Sequence, residues 1–205
     1  MNKLFLFLFL TFQISHAQKV VKKSIVNDEI TSINIDVDKC YGLILDTAKG
    51  NEILVEATID GEYRKELLIN LEHMGDTYYL SSVFQPVFEN PNDKLSAHKV
   101  VSVFLKVSIP EYLSASVYGS SCNVSASGSY RELSISLSDG NCTLRQVGEE
   151  VTVLTQSGTI NLFAKRGEVK TDTKYGKLDE DEIAAGSNHY NLTSITGNIN
   201  VKKTE

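Results

Sequence analysis

Few side chains in this chain can do chemistry, and their spacing limits what they can do. Cysteines stand at 40, 122 and 142. Beyond the first 17 residues the histidines are His73, His98 and His189. Each is isolated, with no Cys, Asp or second His at the spacing a zinc site needs. No G-x-S-x-G nucleophile elbow is present. No G-x-x-x-x-G-K-[ST] follows a strand to cradle phosphate. The one dense acidic run, Asp179-Glu180-Asp181-Glu182, lacks the alternating oxygen ligands and glycine of a calcium loop, so it reads as a solvated bulge. A polysaccharide-active enzyme would need carboxylates grouped on one face, and no other acidic group of that density occurs. The expectation is therefore no enzyme, with no catalytic residue, metal or cofactor.

Charge narrows the partners. The chain carries 20 basic and 26 acidic residues, a net charge of −6. That disfavours nucleic acid, whose phosphates need a basic footprint, and it disfavours adsorption to anionic lipid. Two surface features remain as binding candidates. The segment Val83–Lys99 is long for a connection, and its Phe84 and Phe88 make it a candidate binding loop. A polar row at Asn123, Thr143, Asn161, Asp179 and Asn200 reads as a ladder that satisfies itself along one face.

The elements that must position these residues are strands. Val, Ile, Thr, Ser and Tyr are abundant, the composition of pleated, half-buried segments, and no stretch has helical periodicity. From residue 117 onward one unit repeats: an alternating strand, a corner, and a second alternating strand. Aligning "VYGSSCNV", "LSDGNCTL", "TQSGTINL", "TKYGKL" and "SITGNINV" puts apolar anchors at 122, 142, 160, 178 and 199, spaced by 20, 18, 18 and 21 residues. Gly140, Gly158, Gly176 and Gly197 fall two residues before their anchors, where a tight corner calls for φ > 0. Each unit is too small to bury its inward face alone, so copies must stack at about 4.8 Å to share a core. The expected fold is all-β: a β-solenoid, single-stranded and β-helix-like, of about five glycine-cornered rungs. In this register Cys122 and Cys142 occupy one inward column with Cα atoms about 5 Å apart. They are then either a disulfide or two buried thiols filling volume. An odd cysteine, Cys40, is left over.

The first half has a different texture. Ile33, Ile35 and Val37, then Leu43 and Leu45, then Ile53, Val55 and Ala57 alternate as half-buried strands. Val101 to Ile109 is the cleanest alternation, closed by Pro110. These longer strands, some joined as hairpins, are expected to cap the repeat and shield its edge. Residues 1–17, with Lys3, an apolar stretch from Leu4 to Leu10, and Ser15 and Ala17 before the cut, read as a secretory signal peptide. The organisation expected is 1–17 signal peptide, 18–110 cap and first strands, and 111–205 repeat, the last two sharing one core. No transmembrane segment remains after cleavage.

Several of these stretches, "INIDVDKCYGLILDTAKGNEILVEATIDG", "VFLKVSIPEYLSASVYGSSCNVSASGSYRELSISLSDGNCTL" and "VTVLTQSGTINL", resemble the bacterial putative-adhesin family of unknown function. The shared pattern is a strand pair around a glycine, a strand ending in Val-x-Ile-Pro, and successive Ser-Gly-x-Ile units, over roughly residues 30–201. The resemblance implies an exported β-solenoid of the cell envelope and carries over no catalytic residue. The chain departs from it in the Cys anchors and the insert before Val100. The function expected is a non-enzymatic exported module, periplasmic, outer-surface or secreted, that binds a glycan, peptide or envelope protein. The alternative is an envelope accessory protein, structural or stress-responsive, with no dedicated ligand site.

Overall fold

The computed structural model describes residues 18–26, 29–86 and 101–204. Among them every regular element is a strand, and no helix is long and apolar enough to cross a membrane. In chain order the strands are β1 (Lys19–Val26), β2 (Ser32–Asp36), β3 (Cys40–Ala48), β4 (Glu52–Gly61), β5 (Leu67–Met74), β6 (Thr77–Phe84), β7 (Val101–Pro110) and β8 (Ser114–Ser121). Then come β9 (Asn123–Asp139), β10 (Cys142–Thr155), β11 (Ile160–Ala164), β12 (Arg166–Thr173), β13 (Leu178–Glu180), β14 (Ala184–Ser194) and β15 (Ile199–Lys203).

They form one open sheet that runs along two faces. The first face has the order β1-β4-β7-β3-β9-β10-β11-β15-β13. The second is β5-β6-β2-β8-β9-β10-β14-β12. Strands β9 and β10 serve both because each bends midway. Gly128 has φ 106° and Gln146 φ 51°, and the β9–β10 register slips on either side of Val147 and Gly148. From β3 and β2 to the far end all pairings are parallel, whereas β1–β4, β4–β7 and β5–β6 are antiparallel.

Alternation decides what each strand buries. In β4 the buried residues are Ile53, Val55, Ala57 and Ile59, and in β9 they include Leu133, Ile135 and Leu137. Successive side chains on a strand point to opposite faces, so these columns line a single apolar core. That core runs without interruption from Ile30 to Val201. Its largest members, Tyr130 and Tyr190, turn their hydroxyls onto the Leu45, Ser127 and Val147 carbonyls at the bends.

The structure corrects the expected register in the first copy. Cys142 pairs with Val124, not with Cys122, and Ile160 continues that column. The corrected anchors 124, 142, 160 and 178 are therefore evenly spaced. Cys122 falls instead in the column of corner glycines: a Cβ on Gly140 would meet the Cys122 carbonyl oxygen at 2.2 Å. All three cysteines are free and buried. The ionisable neighbour that acts on the Cys122 thiol is Cys40.

A second correction concerns why the corners are glycine. Of the four, only Gly140 has positive φ, at 99°. The others are required by close stacking: an added Cβ would stand 1.8 Å from the Gly140 oxygen at Gly158, 2.1 Å from the Gly158 oxygen at Gly197, and 1.9 Å from the Gly197 oxygen at Gly176. No carbon fits at such distances.

The order of that column carries a third difference. Gly197 lies between Gly158 and Gly176, because the last strand pair does not stack last. Strand β15 pairs with both β11 and β13, and β14 with both β10 and β12. Burial gives the reason. The inward residues of β14 are Tyr190, Leu192 and Ser194, all buried, while those of β12 are Val169, Thr171 and Thr173, only half-buried. The less apolar strand suits the end.

A hydroxyl column ties these corners together. Thr155 Oγ1 lies 2.8 Å from the Gly158 oxygen and 2.9 Å from Ser194 Oγ. Ser194 accepts from the Gly197 N–H, and Thr173 donates to the Gly197 oxygen. Each hydroxyl has one proton, so Thr155 donates to Gly158 and Ser194 donates to Thr155. Replacing Thr155 with Val keeps the volume and removes the link. It should destabilise the fold by about 1–3 kcal/mol, read as a lower urea midpoint with an unchanged slope.

Three of the four sheet edges, β1, β12 and β13, are guarded against addition of another strand. On β1, Lys19 and Lys23 stand opposite the buried Ile59 and Val55, on the inward side of an edge strand, and Lys19 donates to the Leu67 carbonyl at 2.8 Å. At the other end β13 is three residues long, and β12 alternates Glu168, Lys170 and Asp172 outward. Inward charge and short edges are standard protections against edge pairing.

Candidate functional site

Outward rows of the first face cross several strands, since residues in register point the same way. One row reads Lys106, Ile44, Ser125, Thr143, Asn161, Asn200 and Asp179. This is the polar ladder expected from the sequence, with Ser125 in place of Asn123 because of the two-residue register shift. Asn200 donates to Asn161 Oδ1 at 2.8 Å. Asn123 and Asn141 sit at the corners, where their side-chain oxygens accept from the Asn141 and Thr159 N–H groups.

At the β7–β3–β9–β10 end of this face an open groove of about 540 Å³ crosses four strands. Its aromatic end is built around Gly42. A Cβ there would lie 2.8 Å from Phe104, so the ring occupies the space that any side chain at 42 would need. Tyr41 stands 5.6 Å from Phe104, tilted by 42°, and is 55% exposed. Ser125 and Thr143 line the floor with hydroxyls and Asn141 with an amide, while Asn123 is engaged by the Asn141 N–H and the Tyr41 carbonyl. The far end is Arg145, whose guanidinium lies 4.1 Å over the Phe163 ring. A groove with an aromatic wall, aligned polar groups and a fixed cation can hold a polyhydroxylated ligand: ring faces accept C–H edges, and amides and hydroxyls pair with ligand hydroxyls.

A second groove on the same face, over β1, β4, β7 and β3, is lined by Lys22, Glu56, Lys106, Asp46 and Leu54. Its Lys22 and Glu56 pair with each other at 2.9 Å, which leaves less for a ligand. The opposite face holds a row that follows the repeat spacing and that sequence reasoning missed. Glu132, Glu150, His189 and Glu168 share one register line. His189 Nδ1 is 2.6 Å from Glu150 Oε1, and Nε2 is 3.8 Å from Glu168 Oε2. In chain order these residues lie 18, 18 and 21 positions apart, the period of the repeat, and stacking sets His189 between Glu150 and Glu168.

The other candidates from the sequence sit as follows. Phe84 ends β6 in the β5–β6 hairpin and packs, partly buried, against the core. Phe88, His98 and most of the 83–99 segment lie outside the described residues. His73 stacks on Tyr78 at 4.7 Å. In the acidic run, Asp179 and Asp181 are held by Lys202 at 2.8 and 3.3 Å. The Lys203 N–H and the Lys202 side chain keep the Asp181 carboxyl below the usual carboxylate range. Sequence reasoning missed Tyr41, Phe104 and Arg145; only the glycine beside Tyr41 hinted at a ring lying close.

The three thiols have no catalytic environment. Burial pushes each of Cys40, Cys122 and Cys142 up to about 12, the opposite of what a reactive cysteine needs.

Neither a protein-family model nor a curated protein matches the chain. Solved structures do. A putative cell adhesion protein from Clostridium sporogenes superposes with a TM-score of 0.64 at 13% identity, over 92% of this chain and 100% of that one. A putative adhesin from Bacteroides fragilis matches at a TM-score of 0.41 and 12% identity, over 91% of this chain and 98% of that one. The similar structures named here and two from Parabacteroides are all bacterial proteins called adhesins or cell adhesion proteins. At such low identity the likeness speaks to fold alone: the chain shares the all-β architecture of the Clostridium sporogenes protein over nearly its full length.

Proposed function

We propose that this protein is a non-enzymatic, exported envelope or surface module that binds a glycan across the outward side of its first face. The groove running from Tyr41 and Phe104 to Arg145 carries this reading, because it combines an exposed aromatic wall with aligned amides and hydroxyls. The names of the similar solved structures are consistent with a binding role. So are the secretory features of residues 1–17, which lie outside the described residues. The fold is read as a β-solenoid of about five corner-stacked rungs, 111–205, on a cap of 18–110 with which it shares one core. The parallel registers and the column Cys122, Gly140, Gly158, Gly197 and Gly176 support that reading.

The test uses the chain from residue 18 in a screen of bacterial and host glycans. Tyr41→Ser removes an exposed ring with little packing, so its melting temperature should stay near that of the parent. Its affinity for any captured glycan should fall about tenfold or more, the loss of a well-packed aromatic contact. Full binding by Tyr41→Ser would move the site elsewhere, with the 83–99 segment next to be removed. No capture from the screen would favour the accessory-protein alternative.

A further inference from the structure

Resting on that groove reading, we infer that the ligand is an acidic glycan whose carboxylate is held by Arg145. Arg145 is exposed, and its partner is the Phe163 ring, 4.1 Å from the guanidinium. No carboxylate pairs with it among the described residues. Other cations on this face differ: Lys202, which flanks Phe163 on the other side, is held by Asp179 and Asp181, and Lys22 by Glu56. Lys106, opposite Glu56 in the neighbouring groove, is a flexible ammonium with no ring to fix it among the described residues. Arg145 is thus a positive charge pinned in place by a ring, with its planar fork of donors still available. Stacking leaves the guanidinium edge free, and that edge matches a carboxylate in two parallel hydrogen bonds.

Arg145 lies in register with Ser127 and Phe163, and Tyr41 and Phe104 stand on β3 and β7 at the opposite corner. The groove between them runs diagonally over four strands spaced about 4.8 Å apart. An oligosaccharide laid along it would put one sugar face on the aromatic wall, hydroxyls on Ser125 and Thr143, and a charged residue at Arg145. The other face of the protein repels such a ligand, since it carries Glu132, Glu150 and Glu168 in one row. On a chain of net charge −6, an uncompensated cation inside an aromatic groove selects for an anion at that place.

The experiment measures binding of oligogalacturonide and sialyllactose, each as the free acid and as its methyl ester, by calorimetry at low salt. The ester keeps the sugar and removes the charge. At least one acid should bind about tenfold or more tightly than its ester, the worth of a charge-assisted pair. Arg145→Gln should lower binding of the acid to the level of the ester and leave the ester unchanged. Tyr41→Ser should weaken both forms. Equal affinity for acid and ester, or an Arg145→Gln variant that binds the acid as before, overturns the acidic preference while the groove reading stands. If no acid or ester binds, or if Tyr41→Ser changes nothing, the groove reading falls and the preference with it. Thermal melts of both variants confirm that folding is unchanged, as expected for two exposed side chains.

Discussion

Gly158→Val is expected to cost the fold about 4 kcal/mol or more, while Thr159→Val, one residue along, should change it by less than about 0.5 kcal/mol. A side chain at 158 has nowhere to go. Its Cβ would stand 1.8 Å from the Gly140 carbonyl oxygen, and the obstacle is backbone, which cannot rotate aside as a side chain can. Relief requires the two corners to separate, which would break the Cys142 N–H bond to the Thr159 oxygen and the flanking contacts of Ser157 with Ser138. It would also pull on Gly197, stacked on the Gly158 oxygen from the other side. Even Gly158→Ala should be severely destabilised, since the clash is already present at Cβ. Thr159 points outward, and its committed groups are both backbone: the N–H bonds Asn141 Oδ1 and the carbonyl accepts from the Cys142 N–H, and valine keeps both. Urea unfolding of the variants decides the matter, and equal midpoints for the two valine variants would overturn the stacked-corner geometry.

Stability should also fall steeply in alkali. Cys40, Cys122 and Cys142 are 3%, 2% and 0% exposed, and burial raises each thiol from an ordinary 9.0 to about 12. A thiol that stays protonated in the folded chain but ionises in the unfolded one makes the unfolded state gain from rising pH. The stability these groups provide is therefore whole below pH 9 and drains away as pH climbs towards 12. At pH 10 the loss is about 1.4 kcal/mol per thiol, so the three together remove about 4 kcal/mol. Buried Tyr130 and Tyr190, also raised by burial, act in the same direction at higher pH. Denaturant melts at pH 7.5 and pH 10 measure the slope, and Cys142→Val should reduce it by about a third. Thiol labelling gives an independent reading: the folded protein at pH 8 should react about a thousandfold more slowly than the unfolded chain. A flat stability profile, or rapid labelling of the folded protein, would mean the thiols are not enclosed as described.

Much of this architecture is legible in the residues themselves. The alternation of Ile33, Ile35 and Val37, or of Val101 to Ile109, determines which side of each strand is buried, because a strand has a period of two and water penalises the wrong side. The recurrence of a glycine before an alternating pair determines that corners repeat. Export, if residues 1–17 direct it, is likewise written locally.

Neighbour relations are different. A slip of one residue turns a strand inside out, but a slip of two leaves its pattern intact. For this reason Cys122 and Val124 are equally good anchors on paper. Only the close approach of backbone at the corner, where a carbonyl meets the place a side chain would occupy, puts Cys122 among the glycines and Val124 under Cys142. The placing of β14–β15 between earlier strands is hidden in the same way, since each copy presents an interchangeable apolar edge. It is decided by what the whole core needs: Tyr190 and Leu192 in the interior, Thr171 and Thr173 at the end. The groove of Tyr41, Phe104 and Arg145 draws on β3, β7 and β10. Its chemistry comes from residues that are ordinary one at a time, and it exists because stacked strands put distant positions side by side.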